Sequence, residues 1–310
     1  MLDVLPQPDD ELAVAHGLFS TAQARAAGHS PAEIQRRLRA GTWKSLDRGV
    51  LIAADRQPGE FDELLLAALV AGPGAVVYGR SAAQVLGWDL LADPPVPEIA
   101  VLQIPRRRDI SPVRPRLVRR ELTKTDVGLV GLFRVTTAAR TAVDLAADLP
   151  LVDAVVAVDA AYRSGKLSPD DTAIELRSRP RMRGRPRARR VLALASPLSG
   201  SVRESEIRVR IVLAGLEAPV EQYEVVVDGV LVGRADFAWP RLMLLLEIDG
   251  FAYHSSSQAF QRDHDRQRAL EDAGWRVVRF TADDVRDRPQ EILESLRRAG
   301  VCENSPRNLA

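Results

Sequence analysis

The sequence predicts an α+β chain of more than one domain, and three observations carry that expectation. Residues 10–54 alternate short helical runs with capping residues and end in a hairpin. Eight arginines without one acid among them crowd residues 177–190. From residue 202 to 299 the pattern reads helix, three strands, helix, strand, helix. The 310 residues leave room for two or three domains.

The first unit is the most clearly punctuated. Asp10 to His16 reads as a short helix, and Ser20 is placed to cap a second, Thr21 to Ala27, which Gly28 closes. Ser30-Pro31 opens a third, Ala32 to Ala40, with Pro31 where proline is tolerated and Gly41 as the stop. Two strands, 42–46 and 49–53, then turn about Asp47-Arg48. Three helices followed by a hairpin predict a winged helix-turn-helix over 1–56, with a generic three-helix unit as the alternative. In the winged reading the third helix meets duplex DNA through Gln35, Arg36 and Arg39, and the wing adds Lys44.

The following region, 57–175, reads as α/β: helix 60–71, strand 75–78, helix 81–86, strands 98–104, 115–120 and 132–135, then a helix from Thr136. Arg140 and Asp144 stand four apart, as an ordinary helix ion pair does. No Gly-x-Gly-x-x-Gly or phosphate-cradling loop occurs here. Residues 176–200 read as an Arg/Pro-rich linker, with contact to nucleic acid as the other reading of its charge. A further segment, 201–301, and a tail, 302–310, complete the division.

The chemistry concentrates in residues 236–280. The apolar run Leu242 to Leu246 has strand length, yet it ends in Glu247-Ile248-Asp249. On a strand, Glu247 and Asp249 share a face. Asp236 lies on the strand before. A two-residue turn at Pro240-Arg241 sets Trp239 against Leu242 and Asp236 against Leu245, diagonal to Glu247. Three acids on one face repel unless a cation joins them, and an all-oxygen site suits Mg²⁺ or Mn²⁺. Solvated acids at strand ends are the alternative.

These residues resemble a known family. The ordered set Ser201-x-x-Glu204, Gly233-Arg234-Ala235-Asp236, Glu247-x-Asp249-Gly250-x-x-x-His254, Asp263-x-x-Arg266 and Gly274-Trp275-x-x-x-Arg279-Phe280 is similar to the Vsr-like nuclease domains of the domain of unknown function 559 group, within the PD-(D/E)xK superfamily. The resemblance covers about a third of the chain and implies a restriction-endonuclease-like α/β domain, a metal-dependent endonuclease. It implies Asp236, Glu247 and Asp249 at the metal, Glu204 orienting water, His254 as acid or base, and Arg266 and Arg279 on phosphate. Asp249 stands where the superfamily has Lys, so the identity of the general base stays open. The N-terminal unit, through Phe19-Ser20-x-x-Gln23-Ala24, Gly28, Gly41-x-Trp43 and Arg48-Gly49-Val50, resembles AbiEi-type antitoxins of type IV toxin–antitoxin systems. That second resemblance implies a non-catalytic DNA-binding regulator whose partner is a toxin or a second copy of the chain.

Composition narrows the setting. Cys302 is the single cysteine, so an intrachain disulfide and a Cys-x-x-Cys zinc site are excluded. The acidic first ten residues lack a basic leader, and no apolar run reaches the roughly 18–20 residues of a membrane span, so a cytoplasmic protein with no membrane contact is expected.

Overall fold

The computed structural model describes residues 9–103, 114–227, 229–249 and 257–303, with the side chains of 257–263 outside that description. The chain is mixed α/β and divides into two compact units, Met1–Leu145 and Ala146–Ala310.

In the first unit, α1 (Asp10–His16) leads to β1 (Leu18–Ser20), α2 (Thr21–Ala26), α3 (Pro31–Arg39), β2 (Trp43–Asp47) and β3 (Val50–Ala53). Each helix start is held by a side chain: Asp9 accepts from the Leu12 amide, Ser20 and Gln23 form a reciprocal capping box, and Ser30 accepts from Glu33. The strand β1 is absent from the sequence reading because it is only three residues long; its pairing with β3 completes a sheet of order β1-β3-β2. The hairpin turns on Arg48-Gly49, one residue later than expected, since Asp47 pairs with Val50 and Gly49 takes a left-handed φ of 80°. Trp43 fills the space between helices and sheet, edge-on to Phe19 at 4.9 Å and against Ile34 and Leu51.

The remainder of this unit holds α4 (Asp62–Ala71), β4 (Val76–Val77), α5 (Gly79–Val85), β5 (Glu98–Val101), β6 (Arg116–Arg119), β7 (Val127–Val130), β8 (Phe133–Thr136) and α6 (Ala138–Asp148), which crosses the unit boundary. Its strands form a mixed sheet of order β6-β5-β4-β8-β7. Arg140 is buried, with Nε 2.6 Å from Asp144 and Nη1 3.4 Å from Asp126, so its pair with Asp144 belongs to the interior rather than to a solvated helix face. Arg106, Arg107 and Arg108 lie outside the described residues.

The second unit opens with α7 (Leu151–Arg163), α8 (Pro169–Ser178) and α9 (Arg185–Leu194). The expected linker at 176–200 therefore contains a helix. Ala188 and Val191 of α9 are fully buried, so two apolar positions three apart override the prolines and arginines around them. Next come α10 (Val202–Leu213), β9 (Val220–Val227), β10 (Val230–Trp239), β11 (Leu244–Asp249), α11 (Ser257–Asp272), β12 (Arg276–Thr281), α12 (Ala282–Asp287) and α13 (Pro289–Arg298). The single helix expected over 282–299 breaks at Arg288, because Pro289 disfavours helical backbone before it. The sheet order is β12-β11-β10-β9, with β11 and β12 parallel and the other pairs antiparallel. Leu244 and Leu246 meet Ile207 and Ile211 of α10 and Ile292 and Leu296 of α13 on one face. Leu245 meets Leu270 of α11 and Trp275 on the other. Burial on both faces explains the unbroken apolar run that stands out in the sequence.

A buried polar network joins the helices of this unit to its sheet. Asp159 of α7 is fully buried; it accepts from Arg208 Nη2 of α10 at 2.7 Å and from the Ser196 amide at 2.7 Å. Arg208 also donates to the Leu194 carbonyl at the end of α9, at 2.7 Å, and lies 3.3 Å from Glu221 of β9. Removing one partner strands the other charge in the interior. Arg208→Met is expected to lower unfolding free energy by roughly 3–5 kcal/mol, with Asp159→Leu/Arg208→Met recovering part of it. Urea denaturation of the three proteins checks this; equal stability of wild type and Arg208→Met would refute it.

Candidate functional site

The site grows out of the β10–β11 pair. Four residues, Pro240 to Met243, separate these strands, and Met243 adopts a left-handed φ of 49°. The expected two-residue turn is thus replaced by a longer one, and Trp239 pairs with Leu244 rather than Leu242. Continuing the antiparallel register from Phe237↔Leu246 places Asp236 directly opposite Glu247, not diagonal to it. The slip is by two residues, which preserves the face and brings the two acids closer.

Asp236 is mostly buried, and its Oδ2 accepts from the Ile248 amide at 2.7 Å. Its pKa is pushed up to about 6, chiefly by burial, with the negative charges of Glu204, Glu247 and Asp249 adding to the rise and the Ile248 hydrogen bond opposing it. Glu204 sits in the first turn of α10, which Ser201 caps. Its carboxylate accepts from the Gly200 amide and from Gln222 Nε2, each at 2.8 Å. A Cβ at position 200 would press on both Glu204 oxygens, at 3.0 and 3.1 Å, so glycine gives the carboxylate its seat. Gln222 holds a left-handed φ of 50° within β9, a strained conformation for a non-glycine residue, and its amide reaches Glu204.

Glu247 is gripped by two arginines. Arg266 of α11 donates to Oε1, and Arg279, its parallel neighbour on β12, donates to Oε2 at 3.0 Å. Arg266 reaches the strand by crossing Gly233, where a Cβ would collide with the guanidinium's Nε. The two arginines expected on phosphate therefore neutralise an acid of the cluster in this structure. Asp249 ends β11 on the Glu247 face and contributes to the field on Asp236. His254 lies outside the described residues, as does the side chain of Asp263. Gly200 and Gln222 are supports that the sequence did not reveal, since the φ of Gln222 has no signature in residue order, whereas Gly233 opens the Gly-Arg-Ala-Asp motif already singled out there.

The donor chemistry of Asp236 and Glu247 suits a hard divalent cation, since all donors are carboxylate oxygens in a partly dehydrated setting. Among the described residues no three His, Cys, Asp or Glu side chains stand together as a ready ligand set. Both Glu247 oxygens are engaged by arginine, so binding an ion there requires Arg266 or Arg279 to withdraw.

In the first unit, Gln35, Arg36 and Arg39 lie on the exposed side of α3, opposite buried Ile34, and Lys44 is exposed on β2. Arg37 of the same helix is engaged otherwise, pairing with Glu33 and lying 4.8 Å over the Trp43 ring. No helix among the described residues is long and apolar enough to cross a membrane.

The C-terminal part carries a nuclease-like domain: residues 204–299 match the family model REase_MTES_1575, a restriction-endonuclease-like family. Two Mycobacterium tuberculosis proteins without assigned activity, Rv2248 of strain H37Rv and MT2308 of strain CDC 1551, are each 32% identical over 163 residues. The alignment takes in 53% of this chain and spans only 60% of the length of those relatives. The crystal structure of Rv2827c from M. tuberculosis aligns with 61% of this chain and 78% of its own, at 18% identity and a TM-score of 0.36.

The raised pKa of Asp236 fixes a sign. The folded state holds this proton up to about pH 6, whereas an unperturbed aspartate releases it near 3.8. Between those values the unfolded chain binds fewer protons, so this residue's contribution to stability falls as pH rises. Asp236→Asn is expected to remove that fall and to gain on wild type by roughly 2 kcal/mol between pH 4 and pH 7. Urea unfolding of both proteins across this range checks it, and parallel pH profiles would contradict the burial of the acid.

Proposed function

We propose that this chain is a metal-dependent DNA endonuclease carrying its own winged-helix DNA-binding unit. The observation that carries the reading is the meeting of Asp236 and Glu247 across β10 and β11, with Glu204 acting on Asp236, inside the segment that matches a restriction-endonuclease-like family. Phosphodiester hydrolysis needs a site that gathers negative oxygens around a cation and positions water and phosphate there. A bound Mg²⁺ or Mn²⁺ would act as Lewis acid and lower the pKa of water. Asp236 and Glu247 would hold it, with Asp249 beside them. Asp236 sheds its proton near pH 6 in the metal-free protein, so cation binding is expected to strengthen as pH rises through that value. Glu204, fixed by Gly200 and Gln222, is placed to orient water at the edge of the site. His254, from its place in the sequence motif, is the proposed general acid or base. Arg266 and Arg279, once released from Glu247, are the cations available to a phosphate.

The element order of residues 10–53 and the exposed Gln35, Arg36, Arg39 and Lys44 support a DNA-binding role for the first unit. A second reading has its own observation. The Arg266–Glu247–Arg279 pairing already neutralises the acid a cation would need, as suits a nuclease-like domain that no longer cuts. The chain would then be a DNA-binding regulator or antitoxin-like protein acting with a toxin or a second copy.

Cleavage assays separate the two. Wild type is expected to nick supercoiled DNA with Mg²⁺ or Mn²⁺ and not with chelator. Asp236→Asn and Glu247→Gln should abolish cutting while duplex binding persists, and His254→Ala should slow it by roughly 10²- to 10⁴-fold. No metal-dependent cleavage of supercoiled, linear, single-stranded or mismatched DNA, or of RNA, would favour the regulator. Arg36→Ala/Arg39→Ala should weaken duplex binding and flatten its salt dependence by about two contacts' worth; unchanged affinity in fluorescence anisotropy would remove the recognition helix.

A further inference from the structure

The arginine-rich stretch between α8 and α9 is absorbed by none of the roles above. Between residues 176 and 194 the chain has eight arginines and no acid. Two are engaged with the protein: Arg179 pairs with Glu175, and Arg185 donates to the Leu176 carbonyl. The other six, Arg177, Arg181, Arg183, Arg187, Arg189 and Arg190, are exposed and have no hydrogen-bond or ion-pair partner among the described residues. Several arginines elsewhere in the same unit are paired instead: Arg203, Arg210, Arg241, Arg286 and Arg288 each meet a carboxylate. Six exposed guanidiniums within fourteen residues repel one another, and a bound polyanion would relieve that repulsion.

The backbone beneath these arginines is fixed. Ala188 and Val191 bury the opposite side of α9, and Gly184, which caps the helix start at φ 77°, lies against Ala147, where a Cβ would stand 3.0 Å from the Ala147 Cβ and carbonyl oxygen. At the far end, Arg208 holds the Leu194 carbonyl and Asp159 holds the Ser196 amide. Gly200, four residues beyond Ser196, is the residue whose amide holds Glu204 of the candidate site. The arginine surface thus stands on the same compact unit as the carboxylates, joined to them by a short, anchored stretch of chain.

We propose that the exposed arginines from 177 to 190 form a track for the sugar–phosphate backbone of nucleic acid, holding the strand on the unit that carries the carboxylate site. The proposal rests on the nucleic-acid reading of the chain but not on the domain being catalytically active. Guanidinium suits the task because it grips phosphate through two parallel N–H donors, and a backbone track demands no base recognition. The helix prepositions its arginines, so little ordering is needed on binding.

Full-length protein carrying Arg181→Gln, Arg183→Gln, Arg187→Gln and Arg190→Gln together is the test. All four side chains are exposed, so the fold should persist, and unfolding curves verify this. Fluorescence anisotropy with a duplex DNA, a single-stranded DNA and an RNA oligonucleotide, over a salt series, should show at least tenfold weaker binding at low salt. The slope of log affinity against log salt should shrink by about 0.9 per lost duplex contact and by about 0.7 on single strands. Comparing the three oligonucleotides identifies the strand held. If affinity and slope match wild type while Arg36→Ala/Arg39→Ala still weakens binding, the track is refuted and the DNA-binding unit stands. If wild type binds none of the three, both fall. Polyglutamate binding more tightly than any oligonucleotide through the same arginines would replace nucleic acid by an acidic protein partner. Loss of binding in the quadruple variant with intact Mn²⁺ affinity in calorimetry would confirm the track separately from the metal site.

Discussion

The buried ion pair of Asp159 and Arg208 is the constraint on which the second unit depends. One carboxylate, wholly removed from water, takes two donors: the guanidinium of α10 and the backbone amide of Ser196. Burial raises the pKa of Asp159, and Arg208 works against that rise. The arginine's remaining reach goes to the last turn of α9 and to Glu221 on the edge strand β9, which also accepts from Ser199. Three helices and the sheet are thereby set in one register. Such a pair is costly to bury and gives little net stability, but its geometry leaves few alternative arrangements. The chain from Ser196 to Ser201 is held at both ends by it and by the cap of α10, which is why Gly200 can present its amide to Glu204.

The acids of the candidate site owe their proximity to strand pairing. Asp236 and Glu247 face each other because the turn between β10 and β11 contains four residues, and Leu244, Leu245 and Leu246 lock that register by burying both faces. The resulting field is uneven. Asp236 is surrounded by negative charge and low polarity and keeps its proton into the mildly acidic range. Glu247, one strand across, is held by Arg266 and Arg279. One sheet face thus contains a carboxylic acid poised to lose a proton and a carboxylate already neutralised. This is the kind of inequality that lets two similar groups serve different roles.

The arginines of the second unit serve different ends. Arg208 is structural, Arg266 and Arg279 balance the site, Arg203, Arg210, Arg241, Arg286 and Arg288 meet other carboxylates, and Arg187, Arg189 and Arg190 of α9 face solvent with no partner among the described residues. The net charge of +1 conceals this division, since the paired arginines cancel against acids while six exposed ones lie close together between residues 177 and 190. A near-neutral chain can in this way offer a strongly basic surface to a polyanion.

Much of this was legible in residue order. Helix caps at Ser20 and Ser30, the apolar run before Glu247, and the ordered acids from Glu204 to Asp249 are local signals, because capping and strand burial act over a few residues. The tertiary structure decided what local signals do not encode. It drew α9 out of a stretch that reads as linker, through two buried residues whose partners lie on other helices. It lengthened the turn at Pro240 and so set Asp236 opposite Glu247 rather than diagonal. It turned Arg266 and Arg279 toward Glu247, and Gln222 toward Glu204 through a left-handed backbone. Each of these depends on contacts between residues distant in sequence. Charge and hydrophobic periodicity tell which residues are candidates for chemistry, but only the packed sheet and its flanking helices determine which charges meet.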